Sequence, residues 1–393
     1  MPRALWLLII GMAVNVTGSS FLWPLNTIYI HDHLGKSLSV AGIVLMLNSA
    51  ASVIGNLYGG FLFDKIGGYK SILIGIGFTL ISLIGLTFWH GWPAYVVLLT
   101  LVGFGSGIVF PSMYAMAGSV WKEGGRKAFN AIYVAANLGV AVGASLAGLV
   151  ASYSFQLIFV ANTLMYIIFL FIAVFGYKGI NTVDRKQSST PQKKMGNKNH
   201  TKLYALLILC IGYLLCWVGY SQWMTTIASH TQELNISLKQ YSMLWTINGA
   251  VIVIGQPLLN GVVKRFKSLK TQMIIGMITF IVSFVVVAYA QQFSAFLAAM
   301  FILTIGEMLV WPAVPTIAND LAPKGREGFY QGIVNSTATG GRMIGPLLGG
   351  ILVDLHGISM LYTVLIVLFV ISIFTTIVYD RKIKETKSLV SAS

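Results

Sequence analysis

Residues 59–70 read GGFLFDKIGGYK. Long apolar runs stand on both sides. Asp64, Lys65 and Lys70 are the only Asp, Glu, Lys or Arg residues between Lys36 and Lys122. Gly59, Gly60, Gly67 and Gly68 flank or interrupt the stretch. A short, charged, glycine-rich segment between two apolar runs predicts a tight hairpin joining two membrane-spanning helices. Glycine lets backbones approach closely and lets the chain turn with positive φ. A carboxylate at the end of one helix can sit on the positive N-terminus of another. The alternative is an ordinary basic loop on the cytoplasmic side.

The rest of the chain fits the membrane reading. Its 393 residues are 56% hydrophobic and 9% charged, with a mean hydropathy of +0.80. Soluble domains of this length do not have that composition. A spanning helix needs about 20 apolar residues. Twelve candidates satisfy this, at 4–29, 39–63, 71–89, 93–118, 128–152, 156–177, 203–228, 240–263, 271–290, 293–318, 328–353 and 357–379. The expected fold class is an all-α membrane protein of two six-helix bundles.

A net charge of +15 invites a nucleic-acid reading,. The distribution of that charge rejects it. With the N-terminus inside, 23 of the 26 Lys and Arg fall on cytoplasmic segments. The exceptions are Lys36 and Lys239 outside and Arg342 within a span. This is the positive-inside pattern, and it places both termini in the cytoplasm of a cell membrane, with a bacterial source expected. Cys210 and Cys216 share the seventh span, so no disulfide framework is implied,. The first span follows Arg3 and mimics a signal peptide, with residues 18–20 as a false cleavage site. Its apolar run is too long, and it is read as retained.

Residues 178–202 read KGINTVDRKQSSTPQKKMGNKNHTK and lack apolar periodicity. They predict a flexible cytoplasmic linker between a bundle at 1–177 and a bundle at 203–393. The two halves repeat at an offset near 200 residues,. Val53-Ile54-Gly55 recurs as Val253-Ile254-Gly255, and Gly75 as Gly276. Gly105, Phe110 and Pro111 recur as Gly306, Trp311 and Pro312. Arg126 and Phe129 recur as Arg326 and Phe329, and Gly143 and Gly148 as Gly345 and Gly350. Lys264 stands where Asp64 stands in the first half, so the carboxylate occurs once.

The spacing of Gly60, Asp64, Lys65 and Gly67 resembles the signature G-x-x-x-D-[RK]-x-G between helices 2 and 3 of the major facilitator superfamily. That family carries a basic residue directly after the last glycine; this chain has Gly68 there, with Lys70 two residues on. The resemblance implies parallel six-helix repeats with a substrate site near the midplane. It implies that Asp64 docks near Gly328 and Phe329 when the cytoplasmic side is closed. Residues 139–148 (GVAVGASLAG) and 341–350 (GRMIGPLLGG) resemble the glycine-rich motif on helix 5 of antiporters. Here Pro346 sits in the second copy and Ala144 in the first. Gly139, Gly143, Gly148, Gly341, Gly345 and Gly350 are also the spacing that allows close helix crossing.

Two charges lie deep in spans, Glu307 and Arg342. Each costs roughly 2.5–3.5 kcal/mol at the bilayer centre, so each needs a reason. Counted from Pro323, they lie 16 and 19 residues away on antiparallel spans. At about 1.5 Å per residue their depths differ by about 5 Å. One reading is a fixed ion pair that holds two helices in register. The other is a proton carrier, since burial favours a neutral carboxyl and a neighbouring guanidinium favours the ionised one. Residues 306–323 (GEMLVWPAVPTIANDLAP) resemble helix 10 of proton-coupled multidrug exporters, where a Glu at this place is implicated in coupling. The further acid some relatives carry on helix 5 is missing, with Ile132 in that region. The Arg that relatives often carry on helix 4 is replaced by Leu99.

Asn15, Tyr114, Asn137, Trp217, Tyr220, Asn248 and Trp311 are polar or aromatic residues inside spans. An aromatic cavity with few charges suits amphipathic or cationic organic substrates. Helix packing is the alternative for each. Trp23 and Trp223, near the outer ends, read as interfacial belt residues.

No catalytic constellation is present and no cofactor is implied. His31 and His33 lack the further ligands a metal site needs. Gly103-x-Gly105-x-Gly107 follows no strand, which excludes a phosphate loop. The expected function is export of small organic molecules in exchange for protons by a monomeric transporter. The alternative on this fold is a symporter or facilitator for a sugar or other small metabolite. A non-transporting receptor or scaffold is disfavoured by the gate-like hairpin and the paired central charges.

Overall fold

The computed structural model describes residues 1–180, 197–263 and 268–383. Among these residues there are helices and turns and no strand. Six long helices come first: α1 (Arg3–Leu22), α2 (Leu38–Ile66), α3 (Gly68–Phe88), α4 (Ala94–Val120), α5 (Arg126–Tyr153) and α6 (Phe155–Gly176). Six more follow: α7 (Asn197–Ser221), α8 (Leu238–Val263), α9 (Leu269–Ala288), α10 (Phe293–Val310), α11 (Glu327–His356) and α12 (Ile358–Val378). A helix closes every backbone hydrogen bond within its own segment, which apolar surroundings demand. Pro312, which has no N–H to donate, interrupts α10, and helix resumes over Ala313–Leu321,.

Among the described residues, eleven helices are long and apolar enough to cross a membrane. The remaining expected span, 328–353, is α11, a 30-residue helix. It is long enough, but Asn335, Ser336, Thr337, Thr339 and Arg342 dilute its apolar content. Residues 181–196 of the linker lie outside the described residues, as do Lys264 and the rest of 264–267.

The chain packs as two compact units. One is Met1–Thr190 with Lys324–Ser336; the other is Pro191–Pro323 with Thr337–Ser393. The packing therefore assigns the start of α11 to the first unit and its remainder to the second.

Inside the first unit α1 packs on α5 and α6, α2 on α4, and α3 on α4 and α6. Inside the second unit α7 packs on α12, α8 on α10, and α9 on α10 and α12. The pairing matches helix for helix, as a parallel repeat requires. The α1–α5 and α7–α11 crossings match as well. A side chain at Gly139 or Gly143 would strike the α1 carbonyls of Ala13 or Thr17, at 2.7 and 2.4 Å. One at Gly341 or Gly345 would strike the α7 carbonyls of Leu214 or Val218, at 2.7 and 2.9 Å. Gly350 faces open space, and Pro346 lies inside α11.

Candidate functional site

In the first unit the hairpin GGFLFDKIGGYK turns at a single residue. Gly67, at φ 87°, ends α2 and starts α3. Both oxygens of Asp64 are engaged: Oδ1 accepts from the N–H of Gly328 at 2.7 Å, and Oδ2 from that of Phe329 at 2.8 Å. These N–H groups open α11 and have no partner within their own helix. A carboxylate there also meets the positive end of the helix dipole. Gly60 makes the approach possible. A Cβ on Gly60 would lie 2.3 Å from the Gly328 carbonyl, and one on Gly328 would lie 2.4 Å from the Gly60 carbonyl. Ser336 extends the contact by donating to the Val53 carbonyl at 3.0 Å. Lys65 and Lys70 are exposed, Lys65 beside the Phe61 ring at 5.5 Å.

Three of the expected cavity residues belong to the first unit. Asn15 is fully buried, and neither of its amide atoms has a hydrogen-bond partner among the described residues. Asn137 turns back to donate to the Tyr133 carbonyl at 2.9 Å. Tyr114 stacks on Phe129 at 6.3 Å.

The other four come together in the second unit. Glu307, on α10, is buried. Its Oε1 accepts from Asn248 Nδ2 of α8 at 2.8 Å. The same nitrogen donates to Thr304 Oγ1 at 2.9 Å. Tyr220 of α7 is buried close enough to Glu307 and Arg342 for its hydroxyl to lie in the electrostatic field of both. Trp217 and Trp311 stack at 4.4 Å with their planes 8° apart. Tyr220 stands edge-on to both, at 5.4 and 5.6 Å. Arg342 lays its guanidinium over Trp217, 4.7 Å from the ring centre. Its Nη2 also reaches Thr339 Oγ1 at 3.5 Å. The two intramembrane charges thus share one aromatic cluster, and Tyr220 touches the fields of both.

Sequence reasoning missed two members. Thr304 lies one turn before Glu307 on α10, and that spacing was the available signal. Tyr213, edge-on to Trp311 at 5.6 Å, lies one turn before Trp217. The belt reading of Trp223 is corrected: it is fully buried, whereas Trp23 is 55% exposed. The Trp223 carbonyl accepts from the Tyr241 hydroxyl of α8.

A family model described as Major Facilitator Superfamily matches residues 8–231 and again 209–392. The chain belongs to that superfamily. A Bacillus subtilis (strain 168) relative, described as an uncharacterized MFS-type transporter, YttB, is 67% identical over 388 residues, covering 98% of each chain. The quinolone resistance protein NorA of Staphylococcus aureus (strain COL) is 24% identical over 367 residues, covering 91% of each. Among solved structures, the human organic anion transporter MFSD10 (TETRAN) matches with a TM-score of 0.78 at 15% identity, covering 96% of this chain and 100% of that one. A mutant of the peptide transporter POT in complex with sulfate matches at 0.74 and 15%, covering 97% and 95%. These two likenesses establish the fold. The superfamily chain is a multi-pass membrane transporter of small molecules and not an enzyme.

Proposed function

We propose that this transporter exports small organic molecules in exchange for protons, and that Glu307 carries the proton. The observation that supports this most is a carboxyl group buried in a span, held by Asn248 beside an aromatic stack. Placing an acid there is expensive, and a neutral hydrogen-bonding residue would be cheaper. Trp217, Tyr220 and Trp311 offer faces and edges to planar, amphipathic molecules. The NorA relative is described as a quinolone resistance protein, and export is one route by which a transporter confers resistance. The termini and the Asp64 hairpin face the cytoplasm of a bacterial cell membrane, and one chain suffices for transport.

Asp64 acts as a latch in this scheme. Its two hydrogen bonds fix the start of α11 to α2, and their release frees α11 to move. A contact of this kind shifts a conformational equilibrium only by its own free energy, about 1–3 kcal/mol.

The test is efflux driven by an imposed pH gradient in proteoliposomes. Glu307→Gln keeps size and hydrogen bonding but removes titration, so uphill efflux is lost while downhill exchange survives. It also removes the one carboxylate at a similar depth that offsets the charge of Arg342, which lowers stability. Glu307→Gln with Arg342→Gln restores folding and not coupling. Full pH-driven efflux in that double variant would falsify the proton role and leave a structural ion pair.

A further inference from the structure

Asn248 serves two partners with one nitrogen. Its Nδ2 donates one hydrogen to Glu307 Oε1 at 2.8 Å and the other to Thr304 Oγ1 at 2.9 Å. Thr304 and Glu307 are one turn apart on α10, so both meet the same side chain of α8,. All three residues are buried. The Thr304 hydroxyl gives its own hydrogen to the Met300 carbonyl, one turn back, at 2.7 Å. That bond leaves the lone pairs of its oxygen for Asn248.

A side-chain amide has a donor end and an acceptor end of nearly the same shape. Turned over, Asn248 would set Oδ1 against the Thr304 oxygen, and the hydroxyl would have to give up Met300 to meet it. The carboxyl has a preference of its own, which differs between its two states. Ionised, it only accepts, and the charge-assisted bond from Nδ2 is the stronger kind. Protonated, it keeps an acceptor oxygen and gains a donor, which an amide turned over could accept from. Thr304 opposes that second arrangement. It therefore favours the amide orientation that suits the ionised carboxylate.

The first unit keeps the asparagine and lacks both partners. Asn48 stands in the Asn248 place. Counting from the matched Gly105 and Gly306, Gly103 stands for Thr304 and Ser106 for Glu307. Gly103 packs against the Asn48 amide, where a Cβ would lie 2.6 Å from Nδ2, and Asn48 donates to a backbone carbonyl, that of Leu99. The hydroxyl and the carboxyl thus occur together, in one half.

We infer that Thr304 is the positioning residue that holds the Asn248 amide with its donor toward Glu307, and thereby sets the pH at which Glu307 gives up its proton. The inference rests on Glu307 being the proton carrier. Other titratable or charged groups face this region from each packed helix. Tyr220 of α7 lies in the field of Glu307 and of Arg342 of α11. On α8, Lys239 and Tyr241 stand in the first turn, at least two turns before Asn248. On α9, Lys270 stands in the first turn and pairs with Asp380 at 2.6 Å. Changing Thr304 alters none of these groups, so the comparison isolates the amide.

The test reads the carboxyl directly and needs no transported substrate. Full-length protein in lipid bilayers is titrated from acid to alkaline pH while infrared difference spectra are recorded. The carbonyl band of a protonated carboxyl that is missing in Glu307→Gln belongs to Glu307. Thr304→Val keeps the shape and removes the hydroxyl. In it, the pH at which this band is half lost should rise by about one unit, tenfold in proton affinity. Thr304→Ser restores the hydroxyl and should return the midpoint to the wild-type value. With Asn248→Ala already in place, Thr304→Val should add no further shift, because no amide is left to turn. Should Thr304→Val fail to fold, Thr304→Ala removes the same hydroxyl and should show the same rise. An unshifted midpoint in folded Thr304→Val overturns the positioning role and leaves the proton carrier intact. So does an equal shift in Thr304→Ser, or a valine shift that persists on Asn248→Ala. A spectrum in which no Glu307 band titrates overturns both.

Discussion

Asn48 and Asn248 occupy matched places in the two halves and do different work. Asn48 Nδ2 donates to the Leu99 carbonyl of α4 at 2.7 Å. Asn248 Nδ2 makes the equivalent reach to α10 and finds Glu307 and Thr304. Where the second unit has Glu307 the first has Ser106, which bonds its own helix at the Gly103 carbonyl. Counting from Gly139 and Gly341, Val140 stands in the Arg342 place. Phe110 stands in the Trp311 place. The first unit keeps the scaffold and omits both charges. In exchange its α2–α4 contact is tighter. A Cβ on Gly55 would lie 2.2 Å from the Phe104 carbonyl, whereas one on the matched Gly255 would lie nearest the flexible end of Met308, at 3.3 Å. One half is built as a closely packed frame and the other as a site, and repeated topology does not impose repeated chemistry.

The sharpest break of this asymmetry is charge removal. Glu307→Gln should abolish pH-driven efflux, and Ser106→Ala should leave it near wild type. Equal loss in both would mean that the halves share the site.

Next in size is packing. Gly55→Ala forces two backbones apart and should lower stability by about 1–3 kcal/mol. Gly255→Ala asks only a methionine tip to move and should lower it by less than about 1 kcal/mol. The melting temperatures of the purified variants compare them, and equal shifts would erase the contrast in packing.

A smaller difference separates the two asparagines. Asn248→Ala removes a donor from a chargeable group, worth about 1.5–3 kcal/mol, and should change the pH profile of transport. Asn48→Ala removes one neutral hydrogen bond, worth about 0.5–1.5 kcal/mol, and should leave that profile in place. Matching pH profiles would show that Asn248 does not hold the proton site.

The smallest effect is at the hairpin. Asp64→Asn keeps one acceptor, loses the other and loses the charge on the α11 terminus, about 1 kcal/mol, the low end of the latch's contribution,. It should raise cysteine labelling on the cytoplasmic side and slow transport without blocking insertion. Unchanged labelling with unchanged transport would remove the latch.

Much of this was legible in the chain itself. A bilayer allows few charges, so Glu307 and Arg342 stood out without any coordinates, and the apolar runs marked the helices. The duplicate pattern of Gly55 and Gly255, or Gly143 and Gly345, announced the repeat. Asp64 and its glycines announced a close docking, because only glycine admits a neighbouring backbone at that distance. What tertiary structure alone decided was which side chains meet. Asn248, Tyr220, Thr304 and Trp217 come from three helices far apart in sequence, and no periodicity relates them. The inward turn of Trp223 and the division of α11 between two units were equally hidden. Hydrophobicity specifies how deep a residue sits in the bilayer, but rotation about the helix axis is set by packing against neighbours, and that rotation is what gathered these side chains into one cluster.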